Sequence, residues 1–243
     1  MTAHLVCDKC PSPKGCSWIF SDLDDGEFFA FIDETKTITY AQDELIFPEG
    51  SPAVGLYIIC SGRVKLVKRS VKGKRRILKL LDSGEVLGEE SLFGDMYHQA
   101  DARALEPTTV KFVRRGDFLN LIHRHPDVGF KLVEKLCREL KGYEAKLTET
   151  TYGSSKERVI GVLVRLARAY GIQEADGLEV EIELTRRELA EMAGVSPETA
   201  IRILSQLYRR GLLKHNDGIK IPDFERLERL SSPPLVALKE NVL

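Results

Sequence analysis

LTRRELAEMAGVSPETAIRILSQLYRRGLLKHNDGIKI, residues 184–221, carries the densest set of structural signals in the chain. Thr185 followed by Glu188 is a capping box, which starts a helix bearing Leu189, Ala190 and Met192. Ala193, Gly194 and Val195 form a tight turn, and Ser196 caps a second helix. Pro197 stands at that helix's first position, where no backbone donor is lost. Two short helices joined by a Gly-containing turn predict a helix-turn-helix.

The second helix has two faces. Ala200, Ile203, Leu204 and Leu207 recur at helical spacing and are expected to point inward. Glu198, Arg202, Ser205 and Arg209 fall on the other side and project together. Residues 214–220, KHNDGIK, then read as a basic hairpin whose Asp217-Gly218 suits a type I′ turn. Helix, turn, helix and hairpin in this order predict a winged helix-turn-helix.

At 243 residues the chain has room for two modest domains. A formal net charge of −1 makes any nucleic-acid face local, not global. The N-terminal MTAHLVCDKC lacks the basic and apolar regions of a signal peptide, and no stretch has the length of a membrane span. A soluble, cytoplasmic protein with no membrane partner is the expectation. Five cysteines in that compartment read as thiols or metal ligands in preference to a disulfide framework. Paired carboxylates, a His-rich cluster and a nucleophile–base pair do not stand out, so the expected protein is not an enzyme.

Residues 1–17 differ from all that follows. Cys7, Cys10 and Cys16 have the spacing C-x2-C-x5-C within turn-forming sequence, so they can gather around one metal centre. Three thiolates suit an iron–sulfur cluster or zinc, and a dithiol switch is a further option; a fourth ligand has to come from elsewhere.

From about residue 36 to 113, short apolar runs alternate with glycine turns, which predicts a β-sandwich or jelly roll. Pro126 opens a helix predicted to run to Thr150, along which Leu132, Leu136, Leu140, Tyr143 and Leu147 recur at steps of three and four. So narrow a seam resembles a two-stranded coiled coil and predicts a homodimer interface. The fold class is α+β. Its expected parts are a cysteine-rich arm (1–17), a β-roll (18–124), a dimerisation helix (125–150), a winged helix-turn-helix (151–232) and a tail (233–243).

This order of parts resembles the cyclic-AMP receptor/FNR superfamily of bacterial transcription regulators. The residues that carry the likeness are GLYIICSGRVK (55–65), GEVLGE (84–89), and Thr185, Glu188, Ser196, Glu198, Thr199 and Arg202. The resemblance implies a cyclic-nucleotide-binding-like β-roll and a homodimer on a palindromic promoter in double-stranded DNA, working with RNA polymerase. Cyclic-AMP binders of this superfamily carry an Arg-Ser pair that holds the phosphodiester; here Gln99 and Ala100 stand in its place. Without a guanidinium the anion lacks its charge-assisted partner, so a cyclic nucleotide is not the expected ligand.

The arm is similar instead to the FNR branch, where three such cysteines bind an oxygen-labile [4Fe-4S] cluster. In that branch a fourth cysteine lies in the last strand before the short helix. This chain has Val110-Lys111-Phe112-Val113 there, leaving Cys60 and Cys137 as candidates. Cys60, at a normally solvated strand position, is the expected ligand, and Cys137, beside Leu136 and Leu140, is expected to be a buried structural thiol. The alternative reading is a small-molecule effector in the β-roll, with the arm holding zinc or switching as a thiol. On DNA, Arg202 is expected to read guanine and Glu198 cytosine. Ser196 and Thr199 are placed for phosphate, Ile201 for a thymine methyl, and Ser205 for the same surface.

Overall fold

In the computed structural model, which describes residues 18–93, 96–215 and 218–231, the chain divides into two compact units between Arg138 and Glu139. The cysteine arm, residues 94–95, residues 216–217 next to the expected Asp217-Gly218 turn, and the tail beyond Ser231 lie outside the described residues.

The expected short strands build the first unit. One antiparallel sheet has the order β1 (Lys36–Tyr40), β8 (Thr108–Arg114), β3 (Gly55–Ser61), β6 (Val86–Leu87). The other runs β2 (Leu45–Phe47), β7 (Asp101–Ala104), β4 (Val64–Arg69), β5 (Arg75–Leu81). Strand β3 is covered on both faces, which is why LYII is continuously apolar where most strands of the chain alternate. Its Ile59 points between the sheets with Val64, Leu81 and Val110, while Leu56 and Ile58 point to a helical layer. Gly62 turns β3 into β4 at φ +80°, and a Cβ there would lie 2.4 Å from the Pro107 carbonyl oxygen. Only glycine satisfies both conditions.

The helical layer consists of a 3-10 turn (Trp18–Phe20), α1 (Asp25–Asp33), α3 (Arg115–Arg124) and the start of α4 (Pro126–Tyr152). A short α2 (Glu90–Phe93) follows β6. Asp24 and Glu27 form a capping box at α1, and Phe20, Phe28, Phe31 and Phe118 meet in tilted and edge contacts beneath it. The buried Lys111 donates to the Ile32 carbonyl at 3.2 Å, near the end of α1 where the helix dipole favours a cation.

Helix α4 matches the expected span closely, with one correction to its seam. Leu132 is only 1 % exposed and belongs to the core formed with Phe118, Leu121 and Val128. At about 100° per residue it lies only about 80° round the helix from Leu140, and it is buried because the first unit's core covers the start of the helix.

The second unit holds α5 (Ser155–Tyr170), α6 (Arg186–Ala193), α7 (Pro197–Arg209) and α8 (Phe224–Glu228). A four-stranded sheet accompanies them in the order β11 (Lys214–His215), β12 (Ile219–Ile221), β10 (Gly177–Val180), β9 (Gly171–Glu174). The β9–β10 hairpin was not expected from the sequence. Its signal was Asp176-Gly177 ahead of the alternating Leu178-Glu179-Val180.

Leu132 and Leu136 make opposite predictions. Leu132→Ala should cost about 2–5 kcal/mol in urea unfolding of the purified protein, as expected for a cavity in a packed core. Leu136 is exposed in the single chain, so Leu136→Ala made in the monomeric Leu140→Asp background should leave stability within about 0.5 kcal/mol of that background.

Candidate nucleic-acid interface

The two helices of residues 185–210 form for the reasons their sequence suggests. Thr185 accepts from the Glu188 amide at 3.1 Å, and Glu188 accepts from the Thr185 amide at 2.8 Å. Gly194 ends α6 in the left-handed region at φ 63°, with its amide bonded to the Ala190 carbonyl. Ser196 caps α7, accepting from the Thr199 amide at 3.3 Å, with its hydroxyl 3.1 Å from Thr199 Oγ1. Ala200, Ile203, Leu204 and Leu207 are all buried. Arg186 lies over the Tyr208 ring at 5.7 Å and reaches its hydroxyl at 3.4 Å, joining the start of one helix to the end of the next. Arg158 on α5 donates to the Ala193 carbonyl at 3.2 Å, which fixes the turn from behind.

The opposite face of α7 is open. Glu198, Ile201, Arg202, Ser205 and Arg209 are exposed, and Thr199 is half-buried beside its cap. Arg202 has no hydrogen bond or ion pair among the described residues, so its planar fork is available. The Ser196 hydroxyl, and then the helix's own backbone, hold the Glu198 carboxyl below its usual range. That keeps it an acceptor. A protruding helix with one free guanidinium and one ionised carboxylate a turn apart has the donor and acceptor needed to read base edges in a major groove.

The wing differs from the basic hairpin expected. β11 and β12 pair as predicted, with Lys214 opposite Lys220. Yet Lys220 Nζ is 2.6 Å from Glu174 Oε2 and also contacts Asp176, and Lys214 Nζ is 3.4 Å from the same Asp176. Those contacts raise the Lys220 ammonium well above its normal range, the Asp176 bond being foremost, and lower both carboxyls. The two wing lysines are thus matched by two acids on the neighbouring hairpin.

Along α4, Leu136, Leu140, Tyr143 and Leu147 lie on one exposed stripe, Leu140 at 60 % and Leu147 at 69 %. Phe130 and Val133 extend it toward the helix start, a continuation that the sequence reading missed. Cys137 is exposed beside the stripe, not the buried thiol expected. Cys60, on β3, is half-buried, with its Sγ 3.8 Å from the Ile58 carbonyl. Cys7, Cys10 and Cys16 lie outside the described residues. The first described segment is held against α4: the Arg138 guanidinium sits 4.4 Å above the Trp18 ring, and Lys131 Nζ is 2.6 Å from Asp22.

In the β-roll, Glu89 is taken by the buried Lys135 of α4. Gln99 is exposed and Ala100 buried, so neither offers a cation at the position discussed above. His98 fills the space nearby, stacked on Phe47 at 3.6 Å with its Nδ1 2.9 Å from Glu90. No helix among the described residues is long and apolar enough to cross a membrane.

Comparison with known proteins agrees with this architecture. Residues 37–125 match the Cyclic nucleotide-binding domain family and residues 157–230 the Crp-like helix-turn-helix domain family. The Cyclic AMP receptor protein of Thermus thermophilus is 32 % identical over 193 residues, spanning 79 % of this chain and 86 % of that protein. The CRP-like cAMP-activated global transcriptional regulator of Mycobacterium tuberculosis is 27 % identical over 212 residues, 87 % of this chain and 95 % of its own. The solved structure of FixK2 from Bradyrhizobium japonicum superposes with a TM-score of 0.71 at 26 % identity, covering 82 % of this chain and 98 % of that one.

Arg202→Ala should weaken binding to a selected DNA site by about 1–3 kcal/mol and relax preference at one guanine per half-site. Binding-site selection with parent and variant checks both. An unchanged base preference would remove Arg202 from the reading surface.

Proposed function

The chain belongs to the CRP/FNR family of DNA-binding transcription regulators, and from that premise we propose that it acts in the cytoplasm as a homodimer on a palindromic promoter site. It works with RNA polymerase and responds to oxygen, nitric oxide or redox state through a [4Fe-4S] cluster. The observation that carries the sensing part is the anchoring of Trp18 and Asp22 on α4 through Arg138 and Lys131. Trp18 is two residues beyond Cys16 in the chain, so the cysteine arm leads directly onto the helix that bears the apolar stripe.

The donor set suits such a cluster. Cys7, Cys10 and Cys16 supply three thiolates, and a cubane wants a fourth ligand from the folded protein. Exposure of Cys137, and its place next to Arg138, support it over Cys60, whose sulfur is half-buried and turned to a strand carbonyl. Bound there, the cluster would supply a centre sensitive to oxidants and nitric oxide. The chain's own residues provide the rest. Leu136, Leu140, Tyr143 and Leu147 pair two copies of α4, and pairing sets the separation of two α7 helices for successive major grooves. Arg202 and Glu198 read base edges, while the Ser196 and Thr199 hydroxyls meet phosphate.

A second reading, a small-molecule effector in the β-roll with zinc or a thiol switch in the arm, is favoured by the cyclic-nucleotide-domain match and the cAMP-activated relatives. Against a cyclic nucleotide stand Lys135 on Glu89 and the Gln99-Ala100 pair. An ammonium from the protein's own long helix already satisfies the carboxylate of the Gly-Glu motif.

Two experiments test these assignments. Leu140→Asp would bury an unpaired charge between two helices, so sedimentation should show monomers and specific DNA binding should be lost while each unit stays folded. An intact dimer would place the interface elsewhere. Prepared without oxygen, the parent should be brown with stoichiometric iron and acid-labile sulfide. Cys16→Ser and Cys137→Ser should lose most of both, and Cys60→Ser should retain them. Loss in Cys60→Ser alone of the two would make Cys60 the fourth ligand, and a colourless parent would favour the effector reading.

A further inference from the structure

We propose that the β9–β10 hairpin acts as an internal phosphate mimic, its Asp176 and Glu174 occupying the wing lysines that would otherwise hold the DNA backbone. The inference rests on the DNA-binding reading above and adds a control on affinity within that interface. Phosphate oxygens and carboxylate oxygens compete for the same ammonium protons with similar geometry. Asp176 sits at the hairpin turn and is shared by both lysines: one oxygen contacts Lys220 and the other lies 3.4 Å from Lys214. Glu174 gives Lys220 a second carboxylate at 2.6 Å, and Glu179 is its cross-strand neighbour on β10.

These contacts are not equivalent. Lys220 is 8 % exposed and belongs to the sheet, so its pairing with Glu174 is structural. Lys214 and Asp176 are both exposed, with side chains 53 % and 56 % accessible. At such a position an ion pair contributes little to stability, because water and salt screen it. What it does change is the charge that the wing presents. With Asp176 in place, Lys214 meets an approaching phosphate only by exchanging one anion for another, and the carboxylate it leaves remains close by and repels that phosphate. The wing therefore releases fewer counterions than its two lysines suggest. Non-specific affinity falls, and a larger share of binding rests on the base contacts of α7.

The test is a double-mutant cycle on the full-length protein with a mixed-sequence DNA duplex, followed by fluorescence anisotropy across a salt series. Asp176→Asn should raise non-specific affinity several-fold at low salt and steepen the slope of log K against log salt by about 0.9, the signature of one added phosphate contact. The same substitution made in a Lys214→Gln background should change neither quantity. Both side chains are exposed at turns or strand ends, and coincident thermal midpoints would show that all four proteins fold alike. Equal gains in both backgrounds would reduce the effect to a general field of one lost negative charge and overturn the proposal. So would an unchanged slope in Asp176→Asn alone. Failure of the parent to bind any duplex would overturn the DNA-binding reading, and this inference with it, before a substitution is made.

Discussion

Everything in this protein depends on one helix having two jobs at once. α4 is 27 residues long, and its apolar positions divide between a buried start and an exposed stripe further along. Val128 and Leu132 enter the first unit's core, and Lys135 reaches Glu89 from the same side. Leu136, Leu140, Tyr143 and Leu147 follow further along and are exposed in the single chain. An exposed stripe of this length is costly in water, and its spacing in steps of three and four is that of a two-stranded coiled coil.

The attachments on the inner face are mostly polar, and this has mechanical consequences. Lys131 with Asp22, Lys135 with Glu89, and Arg138 over Trp18 follow one another at near-helical intervals. Each is a directional contact that can be exchanged, whereas Leu132 is packed apolar surface that resists change. The 18–22 segment and the Gly-Glu motif of the β-roll both touch this stretch of α4.

At the other end of the chain, the recognition surface is kept rigid by contacts that never touch its outer face. The caps at Thr185 and Ser196, the Arg186–Tyr208 stack and the Arg158 bond to Ala193 all act from behind or at the ends. This leaves Arg202 and Glu198 exposed on a helix whose orientation is set by its buried residues. The wing is organised on the opposite principle, with its charges satisfied internally by the β9–β10 acids.

Residues whose signal is local were legible in the sequence. Capping boxes, the Ser196-Pro197 helix start, Gly194 and the two faces of α7 depend on neighbours within four positions, so the linear pattern contains all the physics they need. The run of short strands was legible for the same reason. Three features were decided only by tertiary structure. Leu132 shares the three-and-four spacing of the seam, and only the packing of Phe118 and Leu121 against it shows that it belongs to the core. Cys137 sits among leucines in the sequence, yet it is exposed because its side of α4 turns away from the first unit's core. The lysines of the wing look like free cations until the fold brings Glu174 and Asp176 across from a hairpin some 40 residues earlier, as the 38-residue separation of Lys214 and Asp176 records. A side chain's charge can be read from its letter, but its partner is set by which strands become neighbours.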